Sequence, residues 1–109
     1  VARPNADAVL KALAEPNRRA ILELVRDGPR SMGDIADNFR ITPQAVSQHL
    51  KVLKDAGLVR EERQGRRHLF AVRPEGFEGV QEFLERFWAP HLNKLKNVAE
   101  GESKRRRRD

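Results

Sequence analysis

Thr42-Pro-Gln-Ala-Val-Ser-Gln-His-Leu-Lys-Val-Leu-Lys-Asp-Ala-Gly-Leu-Val59 is the stretch that decides the fold. Thr42 is suited to be an N-cap, and Pro43 fits the first helical position, where its missing N–H is not needed. Val46, Leu50 and Leu53 recur at i, i+4 and i+7, which predicts one buried stripe. Gly57 is the expected stop. Gln44, Ser47, Gln48 and Lys51 recur on a different face. That face is polar and mostly uncharged, and rich in groups that can donate as well as accept. Base edges in a major groove are read by such groups, with Gln pairing to adenine and Ser to either kind of edge. A face that is merely solvated more often carries Glu–Lys pairs.

Before this segment the pattern predicts three shorter helices. Ala6 to Ala14 places Val9, Leu10 and Leu13 on one stripe, and Pro16 opens a second helix with Ala20, Ile21, Leu24 and Val25 inward. Gly28-Pro29 ends it. Ser31-Met-Gly-Asp34 resembles a capping box for a third helix whose Ile35, Ala36 and Phe39 face inward. After Gly57, Leu58 to Arg63 and Arg66 to Arg73 read as two strands about a Gln64-Gly65 turn. A long helical segment begins at Pro74-Glu75. Its apolar positions are Phe77, Val80, Phe83, Leu84, Phe87, Trp88, Leu92, Leu95 and Val98, with a bend or break expected near Ala89 because Pro90 follows. The fold expected is mainly α with a small β-hairpin. It is a winged helix-turn-helix of five helices and a two-stranded wing, its DNA-binding part running from about Ser31 to Arg73. Residues 1–99 form that domain, and 100–109 are expected to be a basic disordered tail.

Charge is placed unevenly along the 109 residues. The net is +6, but residues 40–73 alone carry +5, residues 1–39 carry 0 and residues 74–103 carry −3, with +4 in 104–109. A basic cluster over the helix and hairpin is the footprint of a polyanion binder. Arg63, Arg66 and Arg67 bracket the hairpin turn. Three arginines at one tip repel one another, but are favourable beside a phosphate backbone or in a minor groove. The chain has no cysteine, which excludes a disulfide framework and a thiolate nucleophile or metal site. No apolar run approaches the ~18–20 residues that span a bilayer, and Val1 to Asp7 carries no signal-peptide pattern. A cytoplasmic, nucleoid-associated location is expected, with no membrane partner. No nucleophile elbow, phosphate loop or metal cluster is present, so an enzyme is not expected.

The runs Leu10-Lys-Ala-Leu-Ala-Glu-Pro-Asn-Arg-Arg-Ala-Ile-Leu22, Ile35-Ala-Asp37, Val46 to Val59 and Gly65-Arg-Arg67 resemble the ArsR/SmtB family of bacterial repressors, from about Ala8 to Val98. Phe87-Trp88 with Leu92 and Leu95 is similar to the subgroup that lacks metal sites. The resemblance implies a dimeric DNA-binding repressor with the fourth helix as recognition helix. Thr42, Gln44, Ser47, Gln48, His49 and Lys51 fall on that helix, and Gly65, Arg66 and Arg67 on the wing tip. Ser31 and Arg63 join the candidate DNA contacts, with His49 read as a phosphate or base contact.

Two departures bear on metal sensing. Ser31 to Asp37 has no cysteine where many relatives carry Cys-x-Cys, and the last helix offers His91 without the paired Asp and His ligands of others. His49, His68 and His91 are too scattered to converge on a metal, and no cofactor is expected. Candidate dimer contacts are Val9, Leu10, Leu13, Phe83, Phe87, Trp88, Leu92 and Leu95, because a domain this size has little core left for so many large side chains. A homodimer on a palindromic operator is the leading expectation. A winged helix that binds protein rather than DNA, and a metal-sensing repressor with an atypical site, stand as alternatives; the inducer is not legible.

Overall fold

The computed structural model describes the backbone of residues 6–108, and their side chains other than 92, 93, 96, 97 and 100–108. The elements are α1 (Ala6–Leu13), α2 (Pro16–Val25), β1 (Arg30–Ser31), α3 (Met32–Ala36), α4 (Pro43–Asp55), β2 (Val59–Gln64), β3 (Arg67–Val72), a 3-10 turn (Pro74–Phe77) and α5 (Glu78–Arg108). This is the expected winged helix-turn-helix. α3 and α4 are the two helices of the motif, and β2 and β3 form the wing.

Caps set the helix starts. Thr42 accepts a hydrogen bond from the Ala45 N–H at 3.1 Å, and Ser31 accepts one from the Asp34 N–H at 3.2 Å. Glu15 does the same for α2, accepting from the Arg18 N–H at 3.1 Å, with Pro16 following as first residue. Val46, Leu50 and Leu53 are 0–2% exposed and join Ile21, Val25, Ile35, Leu58 and Phe70 in one core. Burial of each stripe side chain contributes about 2 kcal/mol. Turning α4 onto another face would forfeit on the order of 6 kcal/mol, comparable to a small domain's whole stability. The rotation of α4 is therefore fixed.

Several expectations are corrected. The sheet has three strands in the order β1-β3-β2, because Arg30 and Ser31 pair with Phe70 and Leu69 on the edge of β3 that β2 leaves open. Backbone pairing of two residues leaves no side-chain pattern to read. The wing register ends on Gln64 opposite Arg67, so the turn is Gly65-Arg66, one residue later than expected. Gly65 has φ 63° and Arg66 does not share that sign, the arrangement of a type II′ turn, which needs glycine first. α2 buries Leu22 rather than Ala20, which is exposed. Val9 is 1% exposed in the core with Ala12, so it is no candidate for a dimer surface, whereas Leu10 points outward at 43% exposure.

No break occurs near Ala89. α5 is continuously helical through Pro90. Its backbone is helical as far as Arg108. The side chains of the tail expected at 100–109, and that of Leu92, lie outside the described residues.

One close approach is decisive for stability. Gly76, in the 3-10 turn, lies so near the Gly57 carbonyl that a Cβ there would overlap it. Gly76→Ala should lower stability in urea unfolding by about 2 kcal/mol or more, through forced backbone movement. Gly33→Ala, where a Cβ meets nothing within 4 Å, should be neutral or stabilising by up to ~1 kcal/mol. Equal losses would contradict the close packing of the 3-10 turn against the end of α4.

Candidate nucleic-acid interface

With its apolar stripe buried, α4 turns Gln44, Ser47, Gln48 and Lys51 to solvent, all four exposed. Neither glutamine side chain has a hydrogen-bond partner among the described residues, so both amides are open to a ligand. Thr42 is exposed at the N-terminal end, its oxygen engaged as a cap and its hydroxyl hydrogen still available to donate.

His49 departs from this face. It is half-buried toward the α1–α2 junction, with Nδ1 3.4 Å from Arg18 Nη1 and Nε2 3.8 Å from Glu15 Oε2. Arg18 can only donate, so His49 Nδ1 accepts. The same guanidinium donates from Nε to the Ala12 carbonyl at 2.8 Å and from Nη2 to the Lys11 carbonyl at 3.0 Å, capping α1. His49 thus ties α4 to α1 and is removed from the candidate DNA contacts. Ser31 is half-buried, its oxygen spent on capping α3.

The basic residues of 40–73 divide in two. Lys51 pairs with Asp55 at 3.0 Å, Lys54 with Glu61 at 2.9 Å, Arg60 with Glu62 at 3.1 Å and Arg73 with Glu75 at 3.2 Å. Among the described residues, no carboxylate pairs with Arg40, Arg63, Arg66 or Arg67. All four are exposed. Arg40, in the turn between α3 and α4, was not among the expected contacts, although its charge was legible. The register puts Arg63 opposite His68 and Arg67 opposite Gln64, so these two arginines lie on opposite faces of the ribbon with Arg66 at the tip between them. The tip thus carries concentrated, uncompensated positive charge.

Behind the tip the wing is tied together. Glu61 Oε1 lies 2.6 Å from His68 Nδ1, and Arg63 Nη2 lies 3.4 Å from His68 Nε2. A carboxylate only accepts, so His68 Nδ1 is the donor to Glu61. The hydrogen bond from His68, and then that from Lys54, hold the Glu61 carboxyl below its ordinary 4.5. Among the described residues no group of three or more His, Cys, Asp or Glu could hold a metal ion, and no helix is long and apolar enough to cross a membrane.

Helix-turn-helix, wing and open polar helix face together define a winged helix-turn-helix domain. A family model described as bacterial regulatory protein, arsR family, matches residues 15–61. The HTH-type transcriptional regulator Rv2034 of Mycobacterium tuberculosis is 38% identical over 96 residues, covering 88% of this chain and 90% of that protein. The transcriptional repressor SdpR of Bacillus subtilis is 42% identical over 57 residues, covering 52% of this chain and 63% of its own. Among solved structures, a homodimeric winged helix-turn-helix DNA-binding domain, Mb0332 from Mycobacterium bovis, is similar with a TM-score of 0.63 at 29% identity, covering 83% of each chain. A possible transcriptional regulator for arsenical resistance gives a TM-score of 0.67 at 34% identity, over 84% of this chain and 93% of that one. The chain belongs to the ArsR/SmtB family of winged helix-turn-helix transcriptional regulators, and is a regulator rather than an enzyme.

The depressed Glu61 carboxyl has a thermodynamic consequence. Its stabilisation is complete above the unfolded glutamate's titration and is lost as pH falls through the lower folded value. Denaturant unfolding between pH 7 and about pH 3 should therefore show a shallower acid-side loss of stability in Glu61→Gln than in the parent. Parallel curves would contradict the His68–Glu61–Lys54 linkage.

Proposed function

We propose that the protein is a sequence-specific repressor that binds a palindromic operator in duplex DNA as a homodimer. One observation carries this reading: a fixed recognition helix presents open polar side chains beside a wing tip of arginines that no described carboxylate engages. Gln44, Ser47 and Gln48 read base edges, while Arg40, Arg63, Arg66 and Arg67 meet phosphates or the minor groove. The names of SdpR, a repressor, and of the homodimeric Mb0332 domain support the direction of control and the assembly. The work belongs in the cytoplasm, at the nucleoid.

The dimer rests on α5. Its first turns dock on the domain through Val80, 7% exposed, and half-buried Leu84. Farther along, the same arc carries Phe87, Trp88, Leu95 and Val98, which are 46–65% exposed, and Phe83 and Leu10 lie beside it at 44% and 43%. Phe83 and Phe87 stack edge to face at 5.2 Å. A second copy of the same stripe would cover this surface, and two-fold pairing would set the recognition helices ~34 Å apart, one duplex turn.

Once the operator has been recovered by genome-wide sequencing of bound DNA, Gln48→Ala should weaken binding to it by about 1–3 kcal/mol while leaving mixed-sequence DNA nearly unchanged. Arg66→Ala should weaken both and flatten the salt slope by about one unit. Equal losses from Gln48→Ala on both duplexes would remove it from base readout. For the dimer, Phe87→Lys should weaken self-association in analytical ultracentrifugation by roughly 30-fold or more, the scale of a hot spot worth ≥ ~2 kcal/mol. An unchanged dimer would exclude this face of α5.

A further inference from the structure

Between α4 and the wing lies a shallow cleft of ≈ 170 Å³, lined by Ser47, Leu50, Lys51, Lys54, Glu61 and Phe70. Leu50 and Phe70 form an apolar floor, 2% and 8% exposed. The rim is made of two ammonium groups, one hydroxyl and one carboxylate. Ser47 and Lys51 also belong to the polar face of α4, so the cleft is continuous with the proposed reading surface. Two lysines and a serine hydroxyl around a small concavity suit one phosphodiester oxygen pair.

Within the free chain an acid already sits there. Glu61 Oε2 lies 2.9 Å from Lys54 Nζ, and Glu61 Oε1 is held from behind by His68 Nδ1 at 2.6 Å. Lys51, the other ammonium, is engaged by Asp55 at 3.0 Å. Glu61 is thus a carboxylate held against Lys54 inside the cleft, on the helix-facing side of a basic wing. An acid in that place repels DNA, and a wing could be tied to α4 by apolar contacts alone.

We propose that the cleft is a seat for one DNA backbone phosphate, and that Glu61 is its built-in competitor. The inference rests on the reading of α4 as the DNA-facing helix. In the free protein Glu61 occupies Lys54. In the operator complex a phosphate displaces it, and Lys54 changes partner. The exchange is within reach because the Lys54–Glu61 pair is open to water, with side chains 52% and 25% exposed, and such pairs are weak, whereas a phosphate contact releases a condensed counterion. Its use is selectivity. On random DNA no base contact holds the phosphate against the cleft, and Glu61 keeps it from Lys54. On the operator, base contacts bring the phosphate close enough to open the pair. The device lowers non-specific affinity more than specific affinity.

Glu61→Gln keeps the size of the side chain and a hydrogen-bond acceptor, and removes the charge. Binding of a mixed-sequence duplex would be measured by fluorescence anisotropy across a salt series, for the parent, Glu61→Gln, Lys54→Gln and the double variant. Folding would be followed by circular dichroism. The expected result is tighter binding by Glu61→Gln, with a salt slope steeper by about one unit. Lys54→Gln should abolish that gain, and should cost more in the Glu61→Gln background than in the parent.

A folded Glu61→Gln that binds equally or more weakly would overturn the proposal, as would a gain that survives loss of Lys54. Failure of Glu61→Gln to fold would make Glu61 a strut and overturn it as well. If the parent binds no duplex even at low salt, the reading of α4 falls first. If the parent binds and the variants match it, only the competitor falls.

Discussion

The burial of Val46, Leu50 and Leu53 is the constraint on which the rest depends. These side chains lock α4 about its own axis, because every alternative rotation would expose them. Once that axis is fixed, the outward placement of Gln44, Ser47, Gln48 and Lys51 follows from helical geometry alone. The hydrogen bonds of Thr42 and Ser31 then set where α4 and α3 begin. The sheet is fixed through the same core, since Leu58, Val59 and Phe70 pack into it. The wing tip projects from that anchored base.

The charge pattern divides labour across this surface. Among the described residues, four of the eight cations in 40–73 are engaged by neighbouring acids, and those without acids are Arg40 and the wing-tip arginines. Net charge alone overstates what DNA would meet, because pairing near the recognition helix mutes Lys51 and Lys54. The pairs are surface interactions and add little to stability. Their larger effect is on how strongly each part of the surface attracts a polyanion. A family member that reads sequence needs base contacts to dominate over indiscriminate phosphate attraction.

What was legible in the sequence was local. The caps at Thr42 and Ser31, the stripe of α4, the stop at Gly57 and the glycine turn of the wing all arise from interactions within a few residues. What was not legible came from partners far along the chain. His49 reads as part of the recognition helix, but Arg18, thirty-one residues earlier, draws it inward. Val9 reads as surplus apolar surface until Ile21 and Leu50 are seen to share one core with it. Arg30 and Ser31 pair with β3 through backbone groups that any residue carries. Lys54 and Glu61 meet across seven residues and two elements, so their pairing had no periodic trace. Pro90 argued for a bend or break on the local cost of a proline inside a helix, and the helix continues across it without a break.

The central claim is that one face of α4, rather than the wing alone, reads DNA. The most direct measurement is a nuclear magnetic resonance titration of the isotope-labelled protein with its recovered operator and with a mixed-sequence duplex. The side-chain amide resonances of Gln44 and Gln48 should shift differently with the two duplexes, while those of the wing-tip arginines should shift alike with both. Shifts confined to the wing, with the glutamine amides unmoved by the operator, would contradict the claim.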